Sequence, residues 1–157
     1  MKFKKKIDDK KIANFVKKIS SAEEFRKNRS LSNAPWKYLN DNNIDSLSFE
    51  KTNEILGVMV IIKNKYVNHL TFLYVLRKYR NLGIGKKLMK YYIKNYNKKI
   101  LTIHVAKKHK KTILFYSKFG FEIYKPNYKN KIIQKWKNKC LNTNKNSFKN
   151  RLLLYFK

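Results

Sequence analysis

The sequence predicts an α+β fold in which helices flank a mixed β-sheet. Two patterns support this prediction. Strand-like apolar stretches follow one another in the first half of the chain, and helical and strand-like stretches alternate in the second half. Of the 157 residues, 43% are hydrophobic and 15% aromatic, so the chain can bury a core, and we expect a single domain over residues 1–157.

Helical patterns fill the N-terminal part of the chain, residues 8–40. Asp8 and Asp9 can cap a first helix, whose apolar residues recur at i, i+3, i+4 and i+7. These apolar residues are Ile12, Phe15, Val16 and Ile19. Ser21 with Glu24 fits a capping box for a second helix, and Pro35 suits the start of a third.

Three strands are predicted from Ile44 onward. The stretch IDSLSF alternates polar and apolar residues, ILGVMVII is continuously apolar, and VNHLTFLYVL alternates in part. Polar residues at 53–54 and 63–65 separate the three stretches. We therefore expect three consecutive strands that form a meander.

Helices and strands alternate after this meander. Residues Ile84 to Tyr96 carry an apolar stripe typical of a helix, and ILTIHV, Ile100 to Val105, is strand-like. A second helix is predicted from Lys110 to Phe119, and Gly120 is suited to end it.

Two short strands are predicted near the C-terminus, FEIY and RLLLYFK. The residues between them, Pro126 to Asn150, are rich in lysine and asparagine and only weakly periodic. We interpret this segment as a long connection and the final apolar stretch as a strand added to the sheet.

The charge of the chain is strongly unbalanced. There are 39 Lys and Arg residues against 9 Asp and Glu, a formal net charge of +30. Such a surface concentrates anionic partners, among them nucleic acids, acidic membranes and phosphorylated small molecules. An excess of Lys, Asn, Ile and Tyr is also what a very AT-rich coding sequence produces, so an unselected, solvated lysine surface is an equally open explanation.

Cysteine and hydropathy patterns indicate a soluble intracellular protein. Cys140 is the single cysteine, so no internal disulfide can form and no cysteine-based metal site is expected. The basic N-terminus lacks the apolar core of a signal peptide, and the longest apolar run, Ile55 to Ile62, is far shorter than the ~20 residues that span a bilayer. We expect a cytoplasmic location, no membrane insertion and no bound metal.

A glycine-containing turn between a strand and a helix is the first candidate binding site. Backbone N–H groups at a helix N-terminus are unpaired and attract anions, and glycines let a pyrophosphate approach closely. The turn consists of Arg80, Asn81, Leu82, Gly83, Ile84, Gly85 and Lys86. By itself the pattern fits an ordinary strand-to-helix connection as well as a phosphate site.

Two motifs together resemble the GCN5-related N-acetyltransferases, the GNAT superfamily. Val75, Arg80 and the sequence Arg-x-x-Gly-x-Gly are similar to its acetyl-coenzyme A signature. The segment HKKTILFYSKFGFEIY, His109 to Tyr124, is similar to a second family helix with the pattern Asn-x-x-Ala-x-x-Leu-Tyr-x-x-x-Gly-Phe. A strand separates the two motifs, as in the family, and the resemblance covers about residues 44–157. It implies an α/β/α layered fold with a mixed, mostly antiparallel twisted sheet.

The resemblance implies an enzyme that transfers the acetyl group of acetyl-CoA to a primary amine by direct attack in a ternary complex. It implies that the backbone of Leu73, Tyr74 and Val75 binds the pantetheine arm. It implies that residues 80–86 bind the pyrophosphate. His109 and Thr112 stand where the family has Asn and Ala, so the coenzyme contact made by that Asn falls to His109 or is lost.

Two side chains are candidate catalytic residues. Tyr116 occupies the position of a family tyrosine near the sulfur of coenzyme A, where a phenol can protonate the departing thiolate. His69 stands where many members have a glutamate base, and an imidazole can accept the proton of the amine. A histidine satisfied by a neighbouring strand is the alternative for His69, and we interpret His104 as structural.

Two further functions remain open: a basic nucleic-acid-binding protein, and an inactive member of the fold that serves as an interaction module. The net charge disfavours polyamines and basic protein tails as acceptors, so we prefer a neutral or acidic amine-bearing acceptor, or one tethered to nucleic acid. A cationic amine would have to be recognised by a carboxylate of the protein, and few are candidates. These are Asp41, Asp45, Glu50, Glu54 and Glu122. A monomer and a homodimer are both compatible with the sequence.

Overall fold

A computed structural model describes residues 2–5, 7, 11, 14, 15, 18, 19, 42–125, 130–143 and 151–156. Within this part of the chain there are seven strands in one mixed sheet, with the order β1-β2-β3-β4-β5-β7-β6. The strands are β1 Lys2–Lys5, β2 Ile44–Lys51, β3 Glu54–Lys63, β4 Val67–Val75, β5 Ile100–Ala106, β6 Glu122–Ile123 and β7 Arg151–Phe156. The helices with defined bounds are α1 Ile84–Tyr96, α2 Lys110–Ser117 and α3 Lys131–Thr143. The predicted α+β class with a mixed sheet is confirmed.

The chain divides into two compact units. The first unit comprises Met1–Ile62 and Thr71–Tyr91, and the second comprises Lys63–Leu70 and Tyr92–Lys157. Both β4 and α1 therefore contribute residues to each unit. The two units are described separately below.

The first unit contains two strands of the predicted meander, β2 and β3, together with the second half of the third, β4. Strands β1, β2 and β3 pair antiparallel, and Thr52 and Asn53 connect β2 to β3. Both connecting residues have positive φ, 48° and 64°, which is the backbone of the two-residue hairpin turns that match strand twist. The predicted succession of three strands from Ile44 is confirmed, with β4 next to β3 in the sheet.

Helical residues pack on both faces of the sheet in the first unit. On one face, Phe15 and Ile19 are buried in a cluster with Val58 and Val60 of β3. On the other face, α1 lies so close to β3 that a Cβ on Gly57 would stand 3.1 Å from Ile84 and 3.2 Å from Leu88. Gly57 thus permits the close approach of helix and strand that places the start of α1.

The predicted N-terminal helices are only partly within the described residues. Lys11, Asn14, Phe15, Lys18 and Ile19 are helical, as the first pattern predicts. Ile12 and Val16 of the same stripe lie outside the described residues, and so do the second and third predicted helices.

The second unit has one parallel strand pair and two antiparallel strand pairs. The first half of β4 pairs parallel with β5, from Val67 with Ile100 to Leu70 with Ile103. Strand β7 pairs antiparallel with β5 on one side and with β6 on the other. The predicted final strand is therefore confirmed and lies between β5 and β6.

Two helices cover opposite faces of the sheet in the second unit. Asn68 of β4 donates a hydrogen bond to the backbone oxygen of Tyr96 at the end of α1, 2.8 Å away. Ile133 and Trp136 of α3 are buried against Val67 and other apolar residues of the opposite face. The two faces are called the α1 face and the α3 face below.

The prediction of a long connection over residues 126–150 was wrong, because helix α3 occupies Lys131–Thr143. Over residues 131–138, the part of α3 whose burial is described, Ile133 and Trp136 are buried, and the lysines around them obscure the helical period. A capping signal does precede it, since the Oδ1 atom of Asn130 accepts hydrogen bonds from the N–H groups of Ile132 and Ile133 at 3.1 and 3.2 Å.

Strand β1 was not predicted either. Its four residues, KFKK, are mostly lysine, and a short lysine-rich strand at the edge of a sheet is recognisable only from its pairing with β2. Among the described residues, no helix has both the length and the apolar character needed to cross a membrane.

Candidate functional site

The glycine-containing turn lies in the first unit, where β4 leads into α1. A short 3₁₀ helix, Arg77–Tyr79, follows β4, and then Asn81 and Gly83 adopt positive φ, 64° and 75°. The N–H of Lys87 donates to the carbonyl oxygen of Gly83 at 2.9 Å, which is the first hydrogen bond of α1. The three preceding amides, of Ile84, Gly85 and Lys86, are therefore at the helix N-terminus, where amides have no acceptor within the helix.

Open space adjoins this helix N-terminus. A Cβ on Gly83 would have no heavy atom within 4 Å other than those of its chain neighbours. Asn81, Leu82 and Lys86 are exposed beside it, whereas Ile84 is buried and anchors the helix. The turn thus presents amides, a positive helix end and a lysine to one open region, which suits an anionic ligand.

Arg80 fastens the turn to the end of β4. Its Nε atom donates to the carbonyl oxygen of Val75 at 3.1 Å, and its guanidinium lies 5.2 Å from the ring centroid of Tyr74. Along β4, Tyr74 is buried in the core, while Leu73 and Val75 on the opposite side of the strand are partly exposed. The predicted coenzyme-binding residues 73–75 and 80–86 are thus brought together in the first unit.

The histidines of the second unit form a hydrogen-bonded chain. His69 is buried on β4, and its Nδ1 atom lies 2.8 Å from Oγ1 of Thr102. Its Nε2 atom lies 3.3 Å from Nδ1 of His104 on β5. The ring of Trp136 on α3 is 5.2 Å from the His69 ring, which places the chain on the α3 face. The sequence suggests a structural role for His104. In the structure, His104 lies next to His69, which is a candidate catalytic residue.

Both imidazoles are held neutral. Burial lowers the pKa of His69 well below its usual value, and repulsion from a protonated His104 or from the Arg151 guanidinium would act in the same direction. Burial together with the Arg151 guanidinium lowers the pKa of His104 to about 3. While both hydrogen bonds of His69 are intact, its two nitrogens are occupied, so a role as base requires one of these bonds to open.

Tyr116 lies on the α1 face of the same unit. It is buried on α2, its ring centroid is 6.2 Å from that of Phe121, and Phe121 in turn stacks on Tyr92 of α1 at 6.4 Å. Burial raises the pKa of Tyr116 above that of a free phenol, so its hydroxyl stays protonated at neutral pH. His69 and Tyr116, the two predicted catalytic residues, therefore lie on opposite faces of the sheet.

His109 is placed at the start of α2. Its carbonyl oxygen accepts hydrogen bonds from the N–H groups of Thr112 and Ile113 at 3.0 and 3.1 Å, and its side chain makes no capping hydrogen bond.

Gly120 and Phe121, at the end of the second motif, have the structural role that the sequence predicts. Gly120 has φ of 86°, and the N–H of Phe121 reaches back to the carbonyl oxygen of Tyr116 at 3.4 Å, which ends the helix.

The candidate carboxylates for a cationic amine already have partners. Glu54 accepts hydrogen bonds from Lys18 and Tyr79 at 2.8 and 2.9 Å, and these lower its pKa to about 2. Glu50 is bound by Ser48 at 2.8 Å, and Glu122 by Tyr155 at 3.2 Å.

Two carboxylate candidates remain, Asp45 and Asp41. Asp45 also has an interaction partner, and Asp41 lies outside the described residues. In the part of the chain that the structure describes, no three His, Cys, Asp or Glu side chains are grouped as a metal site.

Trp136 is the main candidate residue that sequence reasoning missed. Its side chain is 9% exposed, and its Nε1 atom has no hydrogen-bond partner among the described residues. The capping signal at Asn130 and the spacing of Ile133 and Trp136 would have revealed the helix. The contact of Trp136 with His69 could not have been read from the sequence, because it depends on the packing of α3.

The depressed histidine pKa values predict a pH-dependent stability. An unfolded histidine binds a proton near pH 6.5, whereas folded His104 does so only near pH 3. As pH falls below about 6.5, the unfolded chain therefore gains protons that the folded chain does not, and stability falls by about 1.4 kcal/mol per pH unit for each such histidine. Urea denaturation at about pH 7 and about pH 5 measures this slope.

The variant His104→Phe is the matched test of this slope. It removes one of the two titrating imidazoles, so the loss of stability between the two pH values should shrink by about the contribution of one histidine. The carboxylate of Glu54 does not interfere, because its pKa of about 2 places its effect at lower pH. Equal slopes in the variant and the parent protein would contradict the assignment.

Comparisons with known proteins agree with this architecture. The chain matches the family model of the acetyltransferase (GNAT) domain over residues 3–140. No curated protein sequence matches it significantly. A similar solved structure is the PaiA N-acetyltransferase from Thermoplasma acidophilum in complex with coenzyme A, with 16% identity and a TM-score of 0.69, covering 100% of this chain and 99% of that one.

Two other solved structures show the same fold. A GNAT-family acetyltransferase from Staphylococcus aureus Mu50 has 19% identity and a TM-score of 0.63, covering 99% of this chain and 98% of that one. A spermidine N-acetyltransferase SpeG chimera from Vibrio cholerae and hSSAT has 14% identity and a TM-score of 0.64, covering 99% and 97%. Because the sequence identities to these three structures are below 20%, the similarity establishes the fold alone. Because the family model spans most of the chain, the chain belongs to the GNAT acetyltransferase domain family.

Proposed function

We propose that this protein is an acetyl-CoA-dependent N-acetyltransferase that acetylates a primary amine by direct attack in a ternary complex. Membership of the acetyltransferase family supports the reaction class. The observation that carries the proposal is the open turn at the start of α1, with Gly83 at positive φ beside N-terminal amides that have no acceptor within the helix. Cys140 lies in α3, outside both motifs, so no covalent acyl-cysteine step is invoked.

The turn binds the pyrophosphate of the cosubstrate in this proposal. The amides of Gly85 and Lys86 donate to phosphate oxygens, and the Lys86 ammonium adds an opposite charge. Arg80 holds the turn in this shape through Val75 and Tyr74. The partly exposed edge of β4 at residues 73–75 binds the amide groups of the pantetheine arm.

The reaction then needs a base, an oxyanion site and an acid. The amine has a reference pKa of about 10.4 and must lose a proton before it attacks. We assign this step to His69 acting with its hydrogen-bonded neighbour His104. Backbone N–H groups of β4 stabilise the tetrahedral oxyanion, and Tyr116, which lies on the face of the sheet opposite His69, donates its phenolic proton to the leaving thiolate from that face.

The proposal is tested by acetyl-CoA binding and by coenzyme A release. A saturating concentration of about 100 times Kd should stabilise the fold by about 2.7 kcal/mol and raise Tm by several degrees. Acetyl-pantetheine, which lacks the pyrophosphate, is the matched control and should shift Tm much less. Absence of any shift with acetyl-CoA, together with no coenzyme A release across a panel of amines, would refute the proposed function.

A further inference from the structure

We propose that Glu54 is a positioning residue for the cosubstrate: it fixes the chain that enters the glycine-containing turn, so that residues 80–86 are ordered for a pyrophosphate before the ligand binds. This inference rests on the proposed N-acetyltransferase function for the identity of the ligand. The order of the turn itself can be measured without a ligand. Glu54, the 3₁₀ helix Arg77–Tyr79 and the turn all belong to the first unit.

The turn is fixed at its C-terminal end and exposed in its middle. Ile84 is buried, and the N–H of Lys87 donates to the carbonyl oxygen of Gly83 at 2.9 Å. Asn81, Leu82 and Gly83 are exposed, and Asn81 and Gly83 have positive φ. An exposed segment has little packing of its own, so the conformation of the turn depends on how its two ends are held.

The N-terminal end of the turn is the 3₁₀ helix, which directly precedes Arg80. It follows the point where the N–H of Leu76 donates to the carbonyl oxygen of Leu56 on β3 at 2.9 Å. The N–H of Tyr79 bonds to the carbonyl oxygen of Leu76 at 2.8 Å, and none of the three helical residues is buried. A single 3₁₀ turn has poor hydrogen-bond geometry, so side-chain contacts with the rest of the unit are needed to hold it.

Glu54, the first residue of β3, provides such contacts. The hydroxyl of Tyr79 donates to its Oε2 atom at 2.9 Å, and the ammonium of Lys78 lies 3.4 Å from its Oε1 atom. The same ammonium is 4.6 Å from the ring centroid of Tyr79, which packs against the hydrophobic cluster that contains Phe15 and Val58. The carboxylate therefore binds the two residues that immediately precede the turn.

Lysines offset the charge of Glu54. The ammonium of Lys18 lies 2.8 Å from its Oε1 atom, on the same carboxylate that Lys78 approaches. The hydrogen bonds from Lys18 and Tyr79 lower the pKa of Glu54 to about 2, so the group is ionised at neutral pH. By its charge alone a carboxylate disfavours a pyrophosphate bound in the same unit. Charge and positioning therefore predict opposite effects of removing Glu54.

Tyr79→Phe tests the positioning with every charge left in place. Without the hydroxyl, fewer molecules will have the turn in its binding conformation, and the apparent Kd for acetyl-CoA should rise by about threefold to tenfold in calorimetry. At saturating acetyl-CoA, kcat should stay within a factor of about two, because the bound ligand restores the turn. The matched control is Tyr91→Phe, a half-buried tyrosine about 10 Å along α1 from Ile84, which should leave the Kd unchanged.

Glu54→Gln separates positioning from charge. If the carboxylate acted through its charge alone, this variant would bind acetyl-CoA more tightly than the parent protein. Positioning predicts a Kd at least about threefold higher, since the charge-assisted hydrogen bond from Tyr79 becomes a neutral one. The matched control is Glu50→Gln, which removes the same charge from a carboxylate that contacts Ser48 at 2.8 Å and Lys11 at 3.4 Å. This control should bind acetyl-CoA at least as well as the parent.

Amide hydrogen exchange measures the order of the turn in the absence of ligand. The N–H of Lys87 forms the first hydrogen bond of α1, so its exchange should be severalfold faster in Tyr79→Phe and unchanged in Tyr91→Phe. Acetyl-pantetheine, which lacks the pyrophosphate, should bind the parent and Tyr79→Phe about equally. Circular dichroism confirms that each variant is folded.

Three outcomes would overturn the inference. The first is a Tyr79→Phe protein with the Kd and the Lys87 exchange rate of the parent, and the second is tighter binding of acetyl-CoA by Glu54→Gln. The third is an equal loss of affinity in Glu50→Gln and Glu54→Gln, which would indicate a general effect on the fold. A parent protein that does not bind acetyl-CoA would refute the proposed function instead, and the exchange rates would still decide whether Tyr79 and Glu54 order the turn.

Discussion

Replacing Gly83 with valine will weaken acetyl-CoA binding by at least about 100-fold, equivalent to the loss of one or two charge-assisted hydrogen bonds. Gly83 has φ of 75°, which a β-branched residue adopts only with strain, so the turn will rearrange and displace the amides of α1. The added side chain also enters the open region where the pyrophosphate is proposed to bind. Isothermal titration calorimetry with acetyl-CoA measures the effect.

Gly120→Ala is the matched control for Gly83→Val. Gly120 also has positive φ, 86°, and a Cβ there would meet the Phe156 ring at 3.1 Å, so this variant should lose stability. It lies in the C-terminal turn of α2 and should retain its affinity for acetyl-CoA. A Gly83→Val protein that is folded and binds acetyl-CoA like the parent would contradict a pyrophosphate site at the turn.

Tyr116→Phe will lower kcat by about 100-fold or more, the usual contribution of a general acid, while the Kd for acetyl-CoA stays within a factor of about two. The ring is retained, so its packing against Phe121 is preserved, and only the proton donor is lost. Because burial raises the pKa of Tyr116, the hydroxyl remains protonated throughout neutral and moderately alkaline pH. Activity should therefore not decline through ionisation of Tyr116 in that range.

The control for this variant is Tyr92→Phe. Tyr92 is also a buried tyrosine of the second unit, and its hydroxyl donates to the carbonyl oxygen of Asn68 at 2.6 Å. Its loss leaves a buried carbonyl without that donor, so stability should fall by about 1 to 3 kcal/mol while turnover per folded molecule is maintained. Unchanged kcat in Tyr116→Phe would remove the acid role, and equal losses of kcat in both variants would indicate a structural effect.

Elements with a strong local pattern were predicted correctly. Helix α1 was predicted with its observed bounds, Ile84–Tyr96, because its apolar stripe is wide and a glycine turn precedes it. Strands β2 and β3 were also recognised, because apolar runs bounded by polar turns specify strands locally. The turn and the motif around Tyr116 were found for the same reason, since both are continuous in sequence.

Features that depend on distant residues were missed or incomplete. His69 and His104 are 35 positions apart, and their contact requires the parallel register that sets His69 beside Thr102. Helix α3 was interpreted as a connection because its lysines obscure the helical spacing of Ile133 and Trp136. The role proposed for Tyr116 is tested by Tyr116→Phe, whereas the roles of His69 and His109 and a nucleic-acid-binding role of the lysine-rich surface stay predictions.

The sequence by itself determined the α+β class, the succession of most strands and helices, the family and the position of the glycine-containing turn, because each depends on residues close together in the chain. The tertiary structure decided which side chains share a face. It placed Tyr116 on the α1 face and His69 with His104 and Trp136 on the α3 face. The physical reason is that strand pairing and helix packing bring together residues whose separation in sequence carries no local signal.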